Sequence, residues 1–331
     1  MRIWAAVMVA AVTSAARCEG TAGWGAWTLA WGEPWSVKGD FSKGKDLSAA
    51  AGFGMDQALV ASDETRGAQR ISLDPSKRVL TVHDMVPLLP GKGSELDLEG
   101  AAASVGQRAY FLVGSQALSR TREAFEADRG YVFKLPVDAS GRPQAGAVAR
   151  ANLRSVLSAD KELAPFLNQP ADDNGLDIEG LAEWDGRLFF GLRAPVVNGE
   201  ALVLEAGVDD LFAGKGALTH HRLAFGRGRG IRDVTALAEA AGFLVLVGPS
   251  GGPDSAKSDI GADYELWHWS GPGAAATRLG ALGAAPGEPE AKAEAVLVLS
   301  QSPAEISGLI LHDGPKNGAP HGFRLSPPAA K

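Results

Sequence analysis

The sequence predicts an all-β fold, a five-bladed β-propeller closed by an N-terminal strand. Three observations predict it. First, a short phrase recurs ahead of apolar runs: Asp97-Leu98-Glu99-Gly100 before 107–114, Asp177-Ile178-Glu179-Gly180 before 186–192, and weaker copies at 46–50, 231–236 and 292–296. Aligned on Ser48, Glu99, Glu179, Asp233 and Glu294, the copies are spaced by 51, 80, 54 and 61 residues, a period typical of repeat architectures. Second, each repeat divides into about four short strands, as a propeller blade does. Third, the last repeat shows only three strands, while an unassigned strand-like run, Trp24 to Trp31, precedes the first.

The elements follow in order. Residues 1–16 read as a secretory leader: Arg2, an apolar stretch from Ile3 to Val12, then Ser14-Ala15-Ala16. An exported, periplasmic or extracellular single domain over 17–331 is expected. Cys18 is the only cysteine, so neither an intrachain disulfide nor a thiolate metal cluster is available. The run 24–31 is expected to pair with 320–325 and so remove the open sheet edges at the seam.

Repeat one reads as strands near 46–51, 57–62, 69–73 and 78–83, and repeat two as 97–103, 107–114, 130–135 and about 145–151. The long 80-residue step is assigned to an insertion at 152–174, helical in spacing up to Leu167 and ended by Pro170. Six blades are the alternative if that insertion hides strands. Repeat three reads as 177–183, 187–193, 200–206 and 219–225, and repeat four as 231–237, 243–248, 263–269 and 276–281. Repeat five shows 293–299, 306–312 and 320–325, after a Pro-, Glu- and Ala-rich loop at 284–292.

The chain carries 39 acidic against 32 basic residues, a net charge of −7, and no basic stripe, which argues against nucleic acid as a partner. No stretch after the leader is apolar for the ~20 residues a membrane span needs.

In a four-strand meander the start of each first strand shares a rim with the end of each second strand. The aligned Ser48, Glu99, Glu179, Asp233 and Glu294 should therefore converge on one channel mouth as a calcium site, since Ca2+ accepts six to eight oxygens at flexible geometry. In the competing reading each acid hydrogen-bonds backbone N–H groups of the next blade. Asp97 and Asp177 are assigned to that locking role. Asp63, Arg66 and Arg193 fall at second-strand ends on the same rim and are the catalytic candidates, the arginines to hold developing negative charge.

Other motifs are weaker. Gly248-Pro249-Ser250-Gly251-Gly252 fits a nucleophile elbow, but Pro253-Asp254-Ser255 follows where a helix should start. Gly226-Arg227-Gly228-Arg229-Gly230 leads into a strand, unlike a phosphate loop. The six histidines form no i,i+4 pair; His83 and His312 lie near strand ends.

The segments NGLDIEGLAEWDGRLFFGLRAP (174–195), GIRDVTALAE (230–239) and YELWHWSG (264–271) closely resemble an uncharacterised bacterial family of unknown function, related in pattern to esterase-like, phytase-like propellers. That resemblance implies the fold and no activity. At motif level, the five aligned oxygens, with VASDETRG (60–67) and LRA (192–194), also resemble calcium-activated nucleotidases of the apyrase type, where Asp233 departs from an expected serine. This second resemblance implies a calcium-dependent hydrolase of a phosphate-containing or ester substrate, with a small anionic molecule or cell-envelope component as partner. The alternative is a non-catalytic propeller that binds a glycan, peptide or protein.

Overall fold

The computed structural model describes residues 24, 27–54, 56–119, 124–238, 241–251 and 264–328. The leader, Cys18 and the residues that follow Gly251 in the elbow-like motif lie outside them. Five sheets are arranged around an axis. The innermost strands are β3 (Leu47–Phe53), β7 (Leu98–Ser104), β11 (Asp177–Trp184), β15 (Arg229–Ala236) and β19 (Lys292–Ser302). Contacts run from each to the next and from β19 back to β3, so the ring is closed.

Each inner strand pairs antiparallel with a second strand: β4 (Gln57–Ser62), β8 (Ala109–Gly114), β12 (Arg187–Ala194), β16 (Phe243–Pro249) and β20 (Glu305–Asp313). The third strands are β5 (Gly67–Asp74), β9 (Tyr131–Pro136), β13 (Glu200–Gly207), β17 (Glu265–Trp269) and β21 (His321–Ser326). Four of the blades end on β6 (Val79–Pro87), β10 (Ala149–Asn152), β14 (Thr219–Ala224) and β18 (Ala276–Ala281).

The fifth blade is completed by β1 (Thr28–Pro34), which pairs antiparallel with β21 from Thr28 opposite Ser326 to Trp31 opposite Phe323. The N-terminal strand therefore closes the ring as the strand count requires. Trp31 adds a hydrogen bond from Nε1 to Leu282 O at 2.5 Å, and its ring lies against His312 and His321. One strand escapes the sequence reading: β2 (Ser36–Lys38) runs parallel to β6 and makes the first blade five-stranded. At three residues it is too short to carry a periodic pattern.

Alternation along the strands sends side chains to both faces of every blade, and five apolar clusters fill the five interfaces between blades. On β8, Ala109, Phe111 and Val113 face the third blade while Tyr110 and Leu112 face the first. The segment 152–174 contributes α1 (Leu153–Ala159), capped by Asn152 Oδ1 accepting from Ser155 N at 3.1 Å. Leu153, Leu157, Leu163 and Leu167 bury into the interface between blades two and three. It adds no strand, which excludes the six-bladed alternative among the described residues. No helix among the described residues is long and apolar enough to cross a membrane.

The motif glycines bring inner strands together. A Cβ at Gly180 would lie 2.7 Å from Val234 N, and one at Gly100 would lie 2.8 Å from Leu181 Cβ.

Candidate functional site at the channel mouth

Backbone hydrogen bonds stitch the rim across blades. Asp63 N donates to Asp46 O at 3.3 Å, Asp97 N to Asp63 O at 3.1 Å, Ser115 N to Asp97 O at 2.8 Å, and Ile178 N to Ser115 O at 2.8 Å. This run sets Asp63, at the end of the second strand of blade one, beside Asp97 and Glu99, at the start of the first strand of blade two. One oxygen from each of the three carboxylates lies within 4.8 Å of the others. Asp63 Oδ1 is buried and has no hydrogen-bond partner among the described residues. Asp97 accepts from Arg129 Nη1 at 2.9 Å and from Ser115 Oγ, and its side chain lines the mouth. It also holds φ at +50°, and Gln116 nearby at +65°, backbone conformations that side-chain-bearing residues seldom adopt.

Crowding sets the electrostatics. Burial, then the charges of Asp97, Asp46, Asp313 and Glu64, pushes the Asp63 carboxyl up to about 7. Burial, then Glu179, Asp97, Asp63 and Asp177, raises Glu99 well above the usual carboxylate range. Glu99 is half-buried and lines the mouth. A cavity of about 410 Å³ opens over these groups, lined also by Lys43, Glu64, Glu95, Leu118 and Arg129.

The other side of the mouth is built from ion pairs. Arg193 Nη1 donates to Glu179 Oε1 at 2.6 Å and lies 3.6 Å from Asp177 Oδ2, while its Nε donates to Ser250 O at 3.0 Å. Arg232 Nε donates to Glu294 Oε2 at 2.9 Å, and a second nitrogen bonds Glu294 Oε1. The same Nε is 2.8 Å from Glu179 Oε2, an ion-pair contact without hydrogen-bonding angles. Burial alone would lower Arg193, but Glu179 and Asp177 outweigh it and hold it charged. Burial raises Glu294 to about 8 despite Arg232, with Glu179 adding to the rise.

Ser48, Glu99, Glu179 and Glu294 thus line one cavity of about 230 Å³ with Asp63, Arg193 and Arg232. Two sequence assignments need correction. Near the mouth the register skips an inner-strand residue at the equivalent place in each blade: Ser48, Glu99, Glu179, Arg232 and Glu294. Such a bulge re-aims the extra side chain, here toward the mouth. Arg232, not Asp233, therefore holds the fourth position. Asp233 turns to the next blade instead, accepting from Val296 N and Val234 N at 2.7 Å each. Ser48 also acts across a blade boundary, its Oγ donating to Leu98 O.

Arg66 is the second correction. It lines neither cavity; its Nη1 bonds Asp128 Oδ2 at 2.7 Å and Ser94 O, tying down the loop between the first two blades. Arg193 is at the mouth but engaged with carboxylates. Of the remaining candidates, His83 bonds Ser72 Oγ, and His312 is buried, burial lowering it to about 4. Arg129 went unnoticed in the sequence because it follows a charged loop and precedes an ordinary strand.

The chain belongs to the DUF3616 family. That family is described as "Protein of unknown function", and it matches residues 46–134 and 138–321. The sequence matches no curated protein. Among solved structures, the PQQ-bound aldose sugar dehydrogenase from Streptomyces coelicolor is 13% identical, with TM-score 0.43, covering 91% of this chain and 98% of its own. A nidogen/laminin complex chain is 10% identical, with TM-score 0.44 and coverage of 91% and 98%. Kuenenia stuttgartiensis hydrazine synthase is 6% identical, with TM-score 0.39; the match covers 82% of this chain and spans 57% of that one.

Proposed function

We propose that this is an exported propeller whose channel mouth binds a hard divalent cation, Ca2+, through Asp63, Asp97 and Glu99, and uses it to hydrolyse an ester or phosphoester. The observation that carries the proposal is the convergence of three carboxylates, one of them with a buried oxygen left unpaired. Acids this close raise one another's pKa values, and a cation relieves that repulsion while satisfying the orphaned oxygen. All-oxygen ligation suits calcium, and a bound ion would polarise both the scissile group and a water. The cavity of about 410 Å³ has room for more than an ion. Export rests on the leader-like residues 1–16.

With Arg66 turned away and Arg193 paired to Glu179, charge stabilisation falls to the cation. That same pairing favours the competing non-catalytic reading, in which the ion supports binding alone. Calorimetric titration of chelator-stripped protein with CaCl2 should give saturable binding that Asp63→Asn and Glu99→Gln abolish. A panel of esterase and phosphoesterase substrates with and without calcium then separates the two activities: calcium binding without turnover leaves a binding module. No heat of binding in the wild-type chain sinks the site.

A further inference from the structure

Each blade presents one bulged inner-strand residue at the mouth, and four of the five are oxygen-bearing: Ser48, Glu99, Glu179 and Glu294. The fifth is Arg232. Its guanidinium leaves blade four and reaches the acids of both flanking blades, with Nε 2.8 Å from Glu179 Oε2 and 2.9 Å from Glu294 Oε2. All three side chains are less than a tenth exposed.

We propose that Arg232 is the protein's own substitute for a cation between blades three and five, a specificity device that keeps any bound ion on the Asp63, Asp97 and Glu99 side. Two buried carboxylates facing the channel need a positive partner, because an unpaired buried charge is strongly destabilising. Both touch the same nitrogen, so their oxygens are within reach of a single centre. A divalent ion would sit 2.3–2.6 Å from such oxygens, in the space the guanidinium fills. The two cannot be there together. Lys292, which lines the same cavity, is committed to Asp313 at 2.6 Å, and Arg193 serves Glu179 through its other carboxylate oxygen, and Asp177. Arginine suits the role better than lysine, because its planar fork holds several acceptors and stays charged when buried.

The inference goes beyond the cation site proposed above and stands or falls separately. Replacing Arg232 by glutamine should expose Glu179 and Glu294, with Glu99 beside them, and create a calcium site absent from the parent. Calcium stoichiometry and the thermal midpoint are measured for wild type, Arg232→Gln, Arg232→Lys, and Asp63→Asn with and without Arg232→Gln. Arg232→Gln should bind one more ion per chain than wild type, and the gain should persist in the Asp63→Asn background. Arg232→Lys should gain nothing. If Arg232→Gln folds only when calcium is present, the inference holds in its strongest form. Folded Arg232→Gln with no added uptake overturns it, as does a variant that stays unfolded with and without calcium. Calcium uptake by Arg232→Gln alongside none by wild type would reject the Asp63 site while supporting the role of Arg232.

Discussion

Replacing Asp233 by alanine separates a metal ligand from a blade lock. The carboxylate is 3% exposed and accepts from Val234 N and Val296 N, both at 2.7 Å, joining blade four to blade five. Truncation strands two buried N–H groups at about 1–3 kcal/mol each, partly offset by removing a buried acid. A net loss of about 3 kcal/mol is expected near pH 5, which for a domain somewhat larger than 150–250 residues lowers the thermal midpoint by roughly 5–10 °C. The pH dependence has a definite sign. Burial raises Asp233 to about 7. A raised folded-state pKa means the stability it supports is fully present below about pH 4 and fades as pH rises through 7. The penalty of Asp233→Ala should therefore shrink between pH 5 and pH 8, by at most about 3 kcal/mol, since roughly two of the three pKa units of the shift lie above pH 5. Thermal and urea unfolding across that range measure it, and calcium titration of the same variant should give an unchanged isotherm. A variant as stable as the parent at pH 5, or one that has lost calcium binding, would refute the lock.

Removal of residues 17–35 takes away β1 and its pairing with β21, so the ring opens; the thermal midpoint should fall well beyond the effect of any single substitution, and a truncated chain of parental stability would contradict closure. Gly180→Ala puts a Cβ 2.7 Å from Val234 N and should cost about 1–3 kcal/mol by overpacking between blades three and four. Gly106→Ala, which meets nothing within 4 Å, is the control and should be neutral within error in the same unfolding assay.

Most of the fold was legible because it is written in repeats. The strand-opening phrase, the apolar run after it and the three-stranded last repeat each report a local requirement of a closed ring, and β1 is where the strand count demands. The site was less legible for a specific reason. A β-bulge shifts which residue faces the channel by one position, and in Ile231-Arg232-Asp233-Val234 two charged residues compete for that place. Choosing the oxygen over the guanidinium gave Asp233. Arg66 failed for another reason: a residue just past a strand end lies on the correct rim, but its loop decides whether it turns inward. Asp97 shows the converse. Its backbone N–H and carbonyl stitch the rim, as a lock should, while its side chain faces the cavity.

The division of the mouth into two halves carries a physical argument of its own. On the side of blades three to five, the acids that face the channel are matched by Arg193 and Arg232 in buried contacts. The contacts of Arg232 with Glu179 and Glu294, and of Arg193 with Ser250 O, tie neighbouring blades together. A buried pair contributes little net stability but makes a missing or misplaced partner costly. On the side of blades one and two, Lys43 and Arg129 serve Glu64, Glu95 and Asp97, while burial and crowding push Asp63 and Glu99 upward. Repulsion and, among the described residues, an orphaned oxygen collected in one place oppose folding unless something offsets them. Arg232 neutralises Glu179 and Glu294 from within the fold, whereas among the described residues no arginine pairs with Asp63 or Glu99; the cation proposed for that quadrant would stabilise the native ring by mass action.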